Sequence, residues 1–369
     1  MTNPNESGPR RDPIDDLQAR GKQHRRAVFL DDGVDGGDAL GYYRSSLEPG
    51  LVFELGTAAI NVLTSLFSSI LGLSLLGTFL AYNVFGTIGL MAYDGALREA
   101  VHDRGGRLQV LATWIVLLPS ASFWSAAIGK DAISFMSAGL ALYAALALRR
   151  RALLMAVAIL AMVLVRPHMA AVMVTALALS MLRSPGVSFV QRVVLGAGAI
   201  VGCAALIPVA MRTSGLGNDA DFLALGEYIE SRQQQNLVGG GAVDISHMSL
   251  PVKLFTYLFR PMPFEAHNVP AFAASVDNLV LLALVLVGLL AMLRRNATPP
   301  GPVSANRGFL WIHALGSWVI LATTTANLGI SVRQKWMFVP MIVFLFLSVM
   351  GRRTAPAVDA PAKGGGNDG

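Results

Sequence analysis

Leu117–Asp131 reads LLPSASFWSAAIGKD. It sets a helix-breaking proline, two aromatics and an adjacent Lys130–Asp131 pair between two apolar runs, 108 to 118 and 132 to 148. Its flanks decide the fold class, and the turn raises the question of function. Ionisable groups beside such runs are costly in lipid unless they pair or face water, so the turn marks a functional site or the polar cap of the next helix, with Asp131 at its positive end.

Further apolar runs cover 73–93, 108–124, 131–148, 152–166, 168–182, 193–211, 275–293, 308–327 and 336–350. Several approach the roughly 20 residues that an α-helix needs to cross a bilayer, and none shows the alternation of a membrane barrel. The composition agrees: 54% of the 369 residues are hydrophobic and 14% charged, too apolar for a soluble domain of this length. The expectation is an all-α, polytopic transmembrane protein with about 9–10 spans. Nine follow if 51–72, interrupted by Glu54, Asn61 and several hydroxyls, lies in the interface as an amphipathic segment, and ten if it crosses.

Flanking polar stretches divide the chain. Residues 1–27 are expected to be disordered, 28–350 form the membrane domain, and 351–369 form a disordered cytoplasmic tail. The net charge of +6 is dispersed over short loops, which argues for topology signals and against nucleic acid as a partner. With Arg98, Arg104 and Arg107 in the cytoplasm, Arg149–Arg151, Arg183 with Arg192, Arg294, Arg295 with Arg307, and Arg352 with Arg353 fall on the same side. The turns at 125–131, 166–168, 212–274 and 328–335 then face outward, with 212–274 the long extracytoplasmic loop. The single cysteine, Cys203, lies in an apolar run and excludes an intrachain disulfide or a cysteine metal cluster.

The outward turns carry the candidate site: Lys130 and Asp131; Arg166 and His168 around Pro167; Arg260, Glu265 and His267; and Arg333 after Asn327. Cations outnumber carboxylates, which suits an anionic ligand such as a phosphate, with Arg as bidentate partner and Lys as a point charge. Each turn has a plainer reading: Arg166 as a snorkelling residue at a proline junction, and Arg333 and Lys335 as interfacial anchors beside Trp336. Near the N-terminus Asp31, Asp32, Asp35 and Asp38 alternate with glycines ahead of Tyr42 and Tyr43. That cluster suits a general base, a divalent cation or a solvated acidic loop, and its spacing is not that of an EF-hand.

The segments Leu118–Pro119–Ser120, Phe123–Trp124–Ser125, Gly129–Lys130–Asp131, Val165–Arg166–Pro167–His168 and Asn327–Leu328–Gly329–Ile330 with Arg333–Gln334 resemble those of polytopic membrane proteins from bacterial exopolysaccharide loci. Such proteins resemble the GT-C glycosyltransferase superfamily and its polymerase-like relatives. The resemblance implies an inner-membrane enzyme that transfers or polymerises sugars from a polyprenyl-phosphate-linked donor onto a glycan acceptor at the extracytoplasmic face. It also implies a catalytic acidic motif in the first outer loop, for which Asp31 and Asp32 are the matching candidates, with Asp131 as a further carboxylate. The chain departs from the pattern in having no span ahead of this motif. A transporter or flippase for a lipid-linked glycan or an anionic solute is the alternative class, and would call for inverted repeats and charges near the bilayer midplane.

Overall fold

A computed structural model describes residues 37–182, 188–190, 193, 196, 197, 230, 233, 241–266, 268–293 and 305–350. The described residues form helices and no strand, apart from a single bridge between Ala242 and Asn327. In chain order the α-helices are α1 (Gly37–Ser45), α2 (Thr57–Ser65, continued by a π turn Leu66–Ile70), α3 (Leu75–Val101), α4 (Gly106–Val116), α5 (Pro119–Ser125) and α6 (Lys130–Leu146). Then follow α7 (Ala152–Val165), α8 (Pro167–Leu182), α9 (Leu250–Phe259), α10 (Val269–Leu293), α11 (Arg307–Thr324), α12 (Leu328–Gln334) and α13 (Val339–Leu347). The run 193–211 and the first part of the loop 212–274 fall almost wholly outside the described residues.

Helix α6 is the axis of the bundle, buried without a break from Ala132 to Leu142 between α3 and α7. Small residues let α3 and α6 approach closely: a Cβ added at Gly139 would stand 2.5 Å from the Gly89 carbonyl oxygen. Helix α13 is also enclosed on all sides. The strongly apolar runs 131–148 and 336–350 thus bury themselves in protein, whereas the outward apolar stripes belong to other helices. On α3, Leu76, Leu80, Val84 and Ile88 recur every fourth residue on the exposed face, and Leu286, Leu290 and Leu293 follow at spacings of four and three on α10.

Among the described residues, three helical segments are long and apolar enough to cross a membrane: Leu75–Val101, Gly106–Ser125 across the Pro119 break, and Val269–Leu293. A fourth is the pair Leu328–Met337 and Val339–Leu347, bent by 60°. The expectation of 9–10 spans rests on shorter helices, since α7 and α8 have 14 and 16 residues against the roughly 20 of a full crossing.

Hydrogen bonds place segment 51–72 across one end of the bundle. Gly56 donates to the Leu164 carbonyl at 2.9 Å, Ser69 to the Ser46 carbonyl at 3.0 Å, and Tyr43 to the Leu73 carbonyl at 3.1 Å. Both termini of Thr57–Ile70 therefore lie at the end where α7 finishes and α3 begins. The opposite end is held by arginines. Arg104, 3% exposed, donates to the carbonyls of Met350 and Ser348 at 2.9 and 2.7 Å, Arg307 reaches the Ser348 hydroxyl at 2.8 Å, and Arg151 pairs with Glu99 at 2.7 Å.

Candidate functional site

The first-named end gathers charge. Gly129 has φ +145°, a left-handed geometry that suits glycine, and it lets the chain turn into α6 directly beneath the Tyr42 ring. Asp131 follows in the first turn of α6, where a carboxylate complements the helix dipole. Arg166 closes α7 in a non-helical conformation, as the following Pro167, the first residue of α8, disfavours the helical one. Its guanidinium donates to Asp131 at 2.6 Å and, one helical turn along α6, to the Ser134 hydroxyl at 3.2 Å. The two side chains are 11% and 20% exposed.

A second pair stands beside the first. The Asn327 side chain caps α12 by accepting from the N–H groups of Gly329 and Ile330, and Arg333 on that helix donates to Asp38 in the first turn of α1 at 2.6 Å. The Arg333 guanidinium also lies 5.3 Å from the ring centroid of Trp124, a cation–π contact. Tyr42, one turn beyond Asp38, is surrounded by Asp38, Arg166, Asp131 and Arg333, and burial, reinforced by Asp38, pushes its phenol up to about 12.

Of the residues singled out in the sequence, the fold brings Asp131, Arg166 and Arg333 together, with Lys130 and His168 next to the first two in the chain. Arg260 and Glu265 form their own fork, at 2.8 and 3.1 Å from the guanidinium Nε, with Glu265 also accepting from Met262 N–H. The stretch after Arg260 makes a 3₁₀ turn at Pro263–Glu265. Asp31, Asp32 and His267 lie outside the described residues.

The expected surplus of cations is reduced by the geometry, which brings a further carboxylate, Asp38, to the site. Arg166, Arg260 and Arg333 each face a carboxylate, from Asp131, Glu265 and Asp38 respectively. Asp38 was legible only as part of the acidic cluster, and its fold back onto α12 joins residues 295 apart in sequence. Among the described residues no three His, Cys, Asp or Glu side chains gather as a metal site.

Lys335 requires a second correction. It is 1% exposed, not an interfacial anchor, and donates to the Asn278 carbonyl oxygen on α10. The Asn278 amide donates in turn to the Pro261 carbonyl at 2.9 Å, which ties the Arg260–Glu265 turn to the core. Neighbouring Asp277, also 1% exposed, accepts from Ser120 N–H at 2.7 Å. One signal in the sequence points to this group: Asp277 is a lone carboxylate at the head of the apolar run 275–293.

Comparison with known proteins finds no matching family model, no matching curated protein and no matching solved structure.

Proposed function

We propose that the chain is a multi-span protein of a bacterial inner membrane that transfers or polymerises sugars from a polyprenyl-phosphate-linked donor, at the end of the bundle where Asp38, Tyr42, Asp131, Arg166 and Arg333 meet. The observation that carries the reading is the juxtaposition of two Asp–Arg pairs beside Trp124. The two pairs differ in burial. Arg166 and Asp131 are mostly covered, whereas Asp38 is 66% exposed, so its pair with Arg333 is a solvent-screened contact worth about 0–1 kcal/mol.

Such a pair exchanges partners readily. A donor phosphate takes the place of Asp38 on Arg333, and the guanidinium then stabilises the charge that builds on the phosphate as the sugar–oxygen bond breaks. Asp38, released, accepts the proton of the acceptor hydroxyl as that oxygen bonds to the sugar carbon. Trp124 offers an aromatic face for the sugar ring, and Asp131 with Arg166 holds the floor of the site. Asp31 and Asp32 stand seven and six residues before Asp38, within about 25 Å of extended chain, and belong to the same acidic segment. Outward apolar faces on α3 and α10 support lipid as the surrounding medium, and the bulky lipid carrier would approach along them.

A transporter of a lipid-linked glycan is the second reading, favoured by the buried Asp277 and Lys335 beside two interrupted helical segments. Complementation of a deletion strain separates the two. With D38N or R333Q stably inserted, the transferase reading expects loss of surface polysaccharide and accumulation of the lipid-linked donor on the outer leaflet. Undiminished polysaccharide from both variants refutes it. Accumulation on the inner leaflet, caused by D277N and not by D38N, favours transport.

A further inference from the structure

The segment between α1 and α3 buries hydroxyls while it exposes large apolar side chains. On the inner row of α2 and its π turn, Thr64 and Ser68 follow Ile60 at four-residue spacing, all three buried. Their hydroxyls are met from inside the protein: Thr64 bonds the Tyr82 hydroxyl at 2.8 Å, and Ser68 the Ser46 hydroxyl at 2.7 Å. The outer row, at the same spacing, carries Leu66 and Ile70, both exposed.

Apolar side chains also occupy the bends that enter and leave this helix. Leu71 donates to the Leu66 carbonyl at 3.0 Å and Leu73 to the Phe67 carbonyl at 2.9 Å, which closes the turn into α3 with Ile70 and Leu71 outward. Val52 and Phe53 stand on the approach to α2, and these four side chains are between 59% and 72% exposed. Turns that face water favour Gly, Pro, Asn, Asp and Ser, whereas exposed apolar patches mark protein or membrane contacts.

Continuity decides between those two occupants. The patch leads on through Leu76 and Leu80 into the outward stripe of α3, a helix long and apolar enough to cross a bilayer. Acyl chains that cover α3 therefore cover the segment as well. Glu48 and Glu54, exposed beside Val52 and Phe53, limit its depth to the boundary between headgroups and acyl chains.

We propose that residues 47–76 form a membrane seat, lodged in the acyl layer of one leaflet by Val52, Phe53, Leu66, Ile70 and Leu71 and returning to the same end of the bundle without crossing. Segments of this kind sink about 5–10 Å into the boundary layer. Tyr43 and Ser46 tie α1 to the seat, which holds that helix, with Asp38 in its first turn, beside the lipid headgroups. The seat takes its membrane setting from the reading above and uses no step of the sugar transfer.

The test places a nitroxide on single cysteines introduced into the full chain carrying C203S, in nanodiscs of equal parts phosphatidylcholine and phosphatidylglycerol. It compares relaxation by oxygen, which concentrates in lipid, with relaxation by a water-soluble nickel chelate. In F53C, I70C and L71C oxygen should be several-fold the more effective, at a depth just below the headgroups, whereas E48C should favour the chelate. V84C on α3 reports the bilayer itself. Lipid at V84C with water at I70C and L71C overturns the seat alone, and water at V84C overturns the membrane reading with it. A depth at the bilayer centre overturns the seat in favour of a crossing. Dipolar broadening between labels, with both agents excluded, overturns it in favour of a second copy of the chain. The unaltered chain gives an independent check: a phospholipid with a diazirine near the glycerol end of its acyl chain should label residues 51–71 on illumination. Labelling elsewhere with none there overturns the seat equally.

Discussion

Removing one partner of the Asp131–Arg166 pair should cost more than removing both. At a separation of about 4 Å and an effective dielectric constant near 20, two unit charges attract by about 4 kcal/mol, part of which offsets their desolvation. With side chains 11% and 20% exposed, the pair lies nearer the buried than the surface limit. In D131N the Arg166 guanidinium keeps the Ser134 hydroxyl but loses its counter-charge, which should destabilise the fold by about 2–3 kcal/mol. R166M strands the Asp131 carboxylate and should cost a similar amount. The double variant replaces both charges and should fall within about 1.5 kcal/mol of wild type, giving a coupling energy of at least about 2.5 kcal/mol. Reversible unfolding of the four proteins in mixed detergent micelles measures each term. A coupling below about 0.5 kcal/mol would place the pair with ordinary surface ion pairs and refute its role as the floor of the site.

Three further outcomes are expected. G139V should drive a side chain into the Gly89 carbonyl, separate α3 from α6 and cost about 1–3 kcal/mol or more in the same unfolding assay. Tyr42 has its phenol raised to about 12 from an ordinary 10.0, so the fold favours the neutral form; its contribution is complete below pH 10, falls as pH rises toward 12 and is absent in Y42F, as alkaline unfolding curves will show. R104M should release the Ser348 and Met350 carbonyls, cost about 2 kcal/mol and hasten proteolysis near the end of α13.

Much of the helical architecture is legible in the sequence because apolar runs and their proline, glycine and charged punctuation are local signals. Pro119 breaks the second long run where the structure does, and Arg166–Pro167 marks the turn between α7 and α8. What does not follow from a run is which way it faces. Residues 131–148 and 275–293 look alike by composition, yet α6 is enclosed and α10 carries exposed leucines. In a chain whose lipid-facing and protein-facing positions are equally apolar, hydropathy carries little information about packing partners.

The candidate site shows the same division. Asp131 and Arg166 belong to turns that any reading of topology assigns to one end, so their approach is anticipated. The Asp38–Arg333 pair is set by long-range packing of α1 against the far end of the chain. Lys335 misleads for a physical reason: lysine beside tryptophan is a common interfacial anchor, and its burial is set by a long-range contact with Asn278, 57 residues away in sequence.

The two polar groups impose different demands on the fold, and those demands bear on how the molecule works. The outer pairs sit at helix ends, and in one of them, Asp38–Arg333, the carboxylate reaches solvent and can exchange partners at small cost. Asp277 and Lys335 lie in the core, and Asp277 is about 12 Å along α10 from its first residue by helical rise. There an uncompensated charge would be expensive, so each group has reason to remain only if it holds the other or holds a proton. Both are anchored to places where helices are interrupted: Asp277 to the chain just after Leu118, and Lys335 to the turn before α13. The Pro261 carbonyl links Asn278 to the Arg260–Glu265 turn, so a change of partners in the core would be felt along a hydrogen-bonded path to the loop that precedes α10. D277N leaves Lys335 without the carboxylate it faces and should hasten proteolysis at the Arg260–Glu265 turn, whereas D38N should leave that turn unchanged. Equal cleavage there in wild type and D277N would separate the core group from the loop.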